Sequence, residues 1–240
     1  MKNEIRITYP FANVMGLFFP VGKLEDGGTC EFATPKCLKK CCAHTPGAGT
    51  IIGHEKKQEA YNFFLRNSIA TIVKQIRAEL KETNCNIFTW FASGDCPAYL
   101  TMKFLNVIIK LDRAGVIQTG FTRNIELWKE CKKLSDNNKT LLTVENIKDI
   151  PKYSEQSGMY SVPNYEIGAI DIYFVTFTKV RKTCGCGGGY YEHHIKDSER
   201  VLPHLKLDCK ACYEKKVGCF TKCEALKKGG LIGKKQLEMK

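Results

Sequence analysis

The sequence predicts an α/β fold: a partial (β/α) barrel or an open parallel sheet, with a C-terminal cysteine-rich metal-binding extension. Three observations predict it. Apolar runs of strand length alternate with amphipathic helical stretches. Polar residues close several of the strands in turn. Ten of the 13 cysteines gather in two groups, one just after the first apolar run and one near the end of the chain.

The elements follow in order. Residues 12–22, ANVMGLFFPVG, form an apolar run suited to a buried strand, and a cysteine loop succeeds it directly. The spacing predicts one long helix over 56–82, with Phe63, Ile69, Ile72, Val73, Ile76 and Leu80 on a single stripe. CNIFTWFASGD (85–95) reads as a strand ending in a polar Ser93-Gly94-Asp95 turn. A second helix runs from Pro97 to about Ala114, with Gly115 as its stop signal. VIQTGFT (116–122) is a third strand, and NIELWKECKKL (124–134) is its helix, capped by Asn124. TLLTVEN (140–146), MYSVPN (159–164) and AIDIYFVTF (169–177) supply further strands. The expected domains are 1–180 (α/β), 181–225 (cysteine-rich extension) and 226–240 (LKKGGLIGKKQLEMK, a basic, partly disordered tail).

A hydrophobic content of 43% and a charged content of 26% are those of a soluble globular protein. The N-terminus MKNEIRITYP has no apolar core of a secretion signal, and no apolar run reaches the length of a membrane helix. The expectation is a cytoplasmic protein without a membrane partner. The formal charge of +12 suggests an anionic partner, either nucleic acid or a phosphorylated substrate. That count treats every thiol as neutral. Two cysteine-bound [4Fe–4S] clusters, on three and on four thiolates, would lower the charge to roughly +9. Lysines sit among the cysteines in KCLKKCC (36–42) and CKACYEKKVGCFTKC (209–223), where they offset thiolate charge or offer a nucleic-acid surface.

Cys30, Cys37, Cys41 and Cys42 make up the first group, and Cys184, Cys186, Cys209, Cys212, Cys219 and Cys223 the second. Cys85 and Cys131 read as small apolar residues. An odd count without a secretion signal argues against a disulfide framework. Cys30-x6-Cys37-x3-Cys41 recurs as Cys212-x6-Cys219-x3-Cys223, and Cys209-x2-Cys212 adds a fourth close sulfur to the second triplet. Short gaps let one loop and the helical turn after it aim several sulfurs at one centre. A four-cysteine site is closed, whereas a three-cysteine site leaves one metal position open. Iron–sulfur clusters are the favoured metal form, with zinc as the alternative, since zinc also accepts four thiolates.

In folds with parallel strands, chemistry sits at the strands' carboxyl ends. Ser93, Gly94, Asp95, Cys96, Arg123, Glu145 and Asn146 are therefore expected on the same rim as the first cysteine loop, as a candidate active site. Each has a plainer reading as well. Asp95 can cap a helix, Arg123 can pair with Glu126, and Glu145 can be merely solvated.

The segments TCEFATPKCLKKCCA (29–43), FTWFASGD (88–95), GFTRN (120–124) and the terminal cysteine group resemble the phage-associated gene product 88 family. Glu31 stands where that family often has proline, and Cys42 and Phe121 stand where it has tyrosine. Cys41 and Cys42 thus compete for one ligand position. The wider resemblance is to radical S-adenosylmethionine (SAM) enzymes, which have a partial α/β barrel, a three-cysteine cluster loop after the first strand and a glycine-rich acidic turn after the second. Their usual loop is C-x3-C-x2-C, whereas here it is C-x6-C-x3-C. The resemblance implies that Ser93-Gly94-Asp95 receives the SAM amino group, that Arg123 pairs with its carboxylate and that Glu145 contacts its ribose. It also implies a reductant protein for the clusters, and a C-terminal cluster that relays electrons or binds substrate.

CGCGGGYYEHHIK (184–196) reads as a hinge carrying metal ligands, because no Walker pattern supports a phosphate cradle. His193 and His194 are candidate ligands or surface residues. Three function classes follow: a radical SAM-like enzyme, a non-catalytic iron–sulfur protein for electron transfer or cluster handling, and a zinc-stabilised nucleic-acid-binding protein. The sequence leaves the substrate and the oligomeric state open.

Overall fold

The computed structural model describes residues 5–11, 14–41, 43, 52–135, 137–146, 148–150, 158–164, 169–176 and 179–185. The chain forms two compact units, Met1–Leu142 and Thr143–Lys240. The fold is α/β, with a mostly parallel sheet flanked by helices.

In the first unit the strands β1 (Thr8–Phe11), β2 (Val14–Phe18), β3 (Ile87–Ser93), β4 (Ile117–Thr122) and β5 (Asn138–Thr143) lie side by side in that order. β1 runs antiparallel to β2, and β2 to β5 are mutually parallel. β1 tolerates Pro10 because it is an edge strand. A buried carboxylate covers its amino end: Glu79 accepts the Ile7 amide at 2.9 Å and the Thr8 amide at 2.6 Å.

Helices α2 (His54–Arg66) and α3 (Ile69–Glu82) replace the single helix expected over 56–82. The apolar stripe does continue, with Ile72, Ile76 and Leu80 in the core and Phe63, Ile69 and Val73 packed against it. The break comes from two polar residues whose side chains bind nearby backbone. Asn67 donates its side-chain amide to Phe63 O at 2.9 Å, and Ser68 caps α3 by accepting the Thr71 amide at 3.2 Å. A short helix, α1 (Pro35–Lys39), precedes them in the cysteine loop. α4 (Thr101–Arg113) follows a 3-10 turn at Ala98–Leu100 and ends before Gly115, whose φ is 76°. α5 (Ile125–Cys131) is capped as expected, with Asn124 Oδ1 accepting the Leu127 amide at 3.0 Å. α4 lies between α3 and α5.

The core is aromatic. Phe64 and Phe104 stack with centroids 5.0 Å apart, and Phe19 meets Phe104 edge-on at 5.6 Å. Trp90 keeps its indole N–H satisfied by Gln118 Oε1 at 2.8 Å, and Gln118 in turn donates to Ile108 O at 3.1 Å. Cys131 is buried in the core and Cys85 is packed against it, as small apolar residues.

In the second unit β6 (Gly158–Asn164), β7 (Ala169–Thr176) and β8 (Lys179–Gly185) form an antiparallel meander. The expectation of parallel strands stops here for a physical reason. A parallel return needs a crossover of a dozen or more residues, and the connections between these strands are far shorter. β8 was not foreseen, and Cys184 lies on it, opposite Ile172 in register. Among the described residues, no helix is long and apolar enough to cross a membrane.

Candidate functional site

The ends of β2 and β3 are joined twice. Phe19 donates its amide to Ser93 O at 2.9 Å, and Ser93 Oγ donates back to Phe19 O at 2.9 Å. Just before this, β3 carries two extra residues. Gly16 pairs with Thr89, but Phe18 pairs with Ser93, and within the excess Phe91 adopts a φ of 52°. A buried phenylalanine at positive φ is strained, and bulges of this kind re-aim the chain at strand ends. Here the bulge delivers the Ser93-Gly94-Asp95 turn.

The cysteine loop folds back on itself before its first sulfur. A Cβ on Gly28 would fall 2.2 Å from Gly22 O, so only glycine permits this approach. Cys30 donates its amide to Gly22 O at 2.8 Å, and Thr29 donates both its amide and its hydroxyl to Pro20 O, at 3.0 and 2.9 Å. Thr34 then caps α1, its hydroxyl accepting the Cys37 amide at 3.1 Å, with Pro35 in the first turn. Cys37 thus sits on α1 and Cys41 just beyond it. Cys30, Cys37 and Cys41 are all half-buried and unbridged.

Burial pushes the Cys30 thiol up to about 12; the Gly22 hydrogen bond opposes this, while the negative charges of Asp95, Cys41 and Cys37 add to it. The Asp95 carboxylate and the Cys37 and Cys41 sulfurs thus each act on Cys30. Buried Lys57, on α2, also feels Cys41: burial lowers its pKa and the thiolate acts against that shift.

The turn and the loop meet through Thr29. Its hydroxyl accepts the Asp95 amide at 3.0 Å. Gly94 has φ 74°, and a Cβ there would lie 2.5 Å from Thr29 Oγ1 and 2.7 Å from Phe19 Cβ. The Asp95 carboxylate is 5% exposed and accepts three hydrogen bonds: Thr122 hydroxyl at 2.6 Å and Cys96 amide at 2.7 Å on Oδ1, and Arg123 amide at 2.8 Å on Oδ2. Burial raises its pKa to about 6, opposed by those three donors and by the Arg123 charge. Asp95 caps no helix, as its plainer reading had allowed; it ties the end of β3 to the end of β4.

The first unit thus brings together Cys30, Cys37, Cys41, Ser93, Gly94, Asp95 and Arg123. Arg123 is half-buried, and Glu126 pairs with Lys129 at 3.0 Å. Cys96 is buried, with Asn124 donating to its carbonyl at 3.1 Å. Glu145 is half-buried and belongs to the second unit, where Asn146 accepts the Lys148 amide in a tight turn. Cys42, Cys186, Cys209, Cys212, Cys219, Cys223, His193 and His194 lie outside the described residues, as does the tail 226–240. Among the described residues, no group of three or more His, Cys, Asp or Glu is drawn close enough to hold a metal ion. Thr29, Thr122 and Lys57 escaped sequence reasoning. Only the position of Thr29 beside the first cysteine, and of Thr122 inside GFTRN, offered a signal.

No family model matches this chain, and no curated protein or solved structure matches it either.

Proposed function

We propose that this chain is an iron–sulfur protein with radical SAM-like activity, using an open three-cysteine cluster in the first unit and a second cluster on its C-terminal cysteines. The observation that carries the reading is the Asp95–Thr29 hydrogen bond, which couples the three-cysteine loop after β2 to the acidic turn after β3. Both sit at the carboxyl ends of adjacent parallel strands, where α/β folds place their chemistry. The order β2-β3-β4-β5 runs in one direction without a switch point, which favours a partial barrel over a doubly wound sheet.

The donor chemistry suits the group, although among the described residues these thiols are not drawn close enough together to hold a metal. Cys30, Cys37 and Cys41 are three half-buried thiols on one loop, and three thiolates leave one iron of a [4Fe–4S] cluster open. When bound, the cluster and SAM supply one-electron and radical chemistry. The chain's own residues position and shield. Ser93 and Asp95 are buried and spend their side chains on the protein, while Gly94 and Arg123 reach solvent. In this reading the Gly94 backbone meets the amino end of SAM, and Arg123 faces its carboxylate. Asp95 holds Arg123 in place through its backbone. A reductant protein and an anionic substrate complete the reading, in a cytoplasmic setting.

Anaerobic purification with iron, sulfide and zinc analysis tests it, followed by SAM and dithionite. SAM should perturb one cluster's spectrum and be cleaved under reduction. A preparation without iron sinks the proposal, and one zinc per four cysteines would replace it with a structural zinc protein.

A further inference from the structure

Cys30 stands between two residues that accept amides from one segment. Thr29 Oγ1 accepts the Asp95 amide at 3.0 Å, and Glu31 Oε2 accepts the Ala98 amide at 2.7 Å. Acceptors and donors run in the same order, so residues 29–31 lie along residues 95–98, just after β3. The main chain between the two acceptors is held as well. Cys30 donates its amide to Gly22 O at 2.8 Å and accepts the Ala33 amide at 3.1 Å, while Lys23 Nζ donates to Glu31 O at 2.8 Å.

Glu31 also completes a helical run that carries no side-chain cap of its own. The 3-10 turn Ala98–Leu100 leads directly into α4, and neither Pro97 before the turn nor Leu100 before α4 makes a side-chain cap hydrogen bond. The first amides of such a run have no partner within it and favour a negative charge. The Glu31 carboxylate meets the first of them from the cysteine loop. The two acceptors differ in setting, since Thr29 is fully buried and Glu31 half-buried. The Glu31 bond is therefore the one that sets how readily the loop lifts from the turn.

We propose that Glu31 is the positioning residue for Cys30: its carboxylate pins the residue after the cysteine to the start of the α4 run, and with Thr29 it fixes Cys30 against the turn that follows β3. This deepens the reading above, in which Cys30 serves the site, but its test needs no metal.

The test is pulse alkylation of the full chain with iodoacetamide after chelation of any bound metal, read thiol by thiol by mass spectrometry, with hydrogen exchange of residues 95–98 followed alongside. Glu31→Ala should speed alkylation of Cys30 about fivefold and speed exchange at the Ala98 amide, because the loop lifts more often. Glu31→Gln keeps an acceptor in the same place and should restore most of the slow rate. Cys37 and Cys41 should keep their rates, because the Thr34 cap of α1 lies on the loop itself, and buried Cys131 should stay unmodified. Unchanged alkylation of Cys30 in Glu31→Ala overturns the proposal. So does a rise shared by Cys37, Cys41 and Cys131, which would make Glu31 a general stabiliser of the fold, and so does a glutamine variant as fast as the alanine one. Iron content is read separately: its absence from the purified chain overturns the iron–sulfur reading, and the role of Glu31 stands or falls on the alkylation alone.

Discussion

The amide of Asp95 donates to the hydroxyl of Thr29 across 3.0 Å, so the acidic turn after β3 is anchored one residue before the first cysteine. Thr29 is fully buried. Thr29→Val keeps the shape and removes the acceptor, leaving the Asp95 N–H without its partner. The expected loss is about 1–3 kcal/mol of stability. Urea denaturation should show a lower midpoint with an unchanged slope, and Thr29→Ser should restore most of it. If the link matters to the site, the valine variant also loses metal to a chelator faster than the serine variant does.

Gly94 and Gly115 have nearly the same backbone, with φ of 74° and 76°, but different surroundings. Nothing lies within 4 Å of a Cβ added to Gly115, whereas at Gly94 it would press into Thr29 and Phe19. Gly115→Ala should therefore show only the left-handed backbone penalty, about 1–2 kcal/mol. Gly94→Ala adds a collision with the buried Thr29 hydroxyl and the Phe19 Cβ and carbonyl, and should lose at least twice as much. Equal losses would mean that the loop and the turn do not approach closely.

Strand and helix positions were legible where local chemistry decides them. Apolar runs marked β2, β3 and β4, Asn124 marked the start of α5, and Gly115 marked the end of α4. The split between α2 and α3 was hidden because the apolar stripe passes unbroken through Asn67 and Ser68, and only side-chain bonds to backbone stop the helix. β1 was hidden for a related reason: it is four residues long, contains Pro10, and depends on Glu79 from a distant helix. At the site, the cysteines and the Ser-Gly-Asp turn stood out as residue types in a pattern. Thr29 and Thr122 did not, since a threonine's role as a clamp exists only once two strand ends meet.

Asp95 gives a pH dependence with a definite sign. Its carboxyl titrates at about 6 in the folded chain, against 3.8 as the ordinary value. The folded state therefore holds the proton more tightly, and the group's contribution to stability is full below 3.8 and lost as pH rises through about 6. Asp95→Asn cannot titrate and serves as the reference. The stability of the unsubstituted chain minus that of the variant should fall by about 2 kcal/mol between pH 4 and pH 7. A difference that is flat with pH, or that grows as pH rises, would show that the three donors outweigh burial.

The paired cysteine spacings make a prediction about metal stoichiometry. Cys30 and Cys37 are held by the Gly22 and Thr34 hydrogen bonds on the loop that also carries Cys41, whereas Cys212, Cys219 and Cys223 lie far along the sequence. If each triplet serves its own cluster, replacing Cys37 and Cys41 with alanine should remove about four of eight irons and spare the rest. Replacing Cys219 and Cys223 should remove the other half. The first pair should also abolish any spectral response to SAM, and the second should leave it in place, because only a three-cysteine site offers an open iron. Loss of all iron from either double variant, with the helical circular dichroism intact, would mean that both triplets ligate one shared centre.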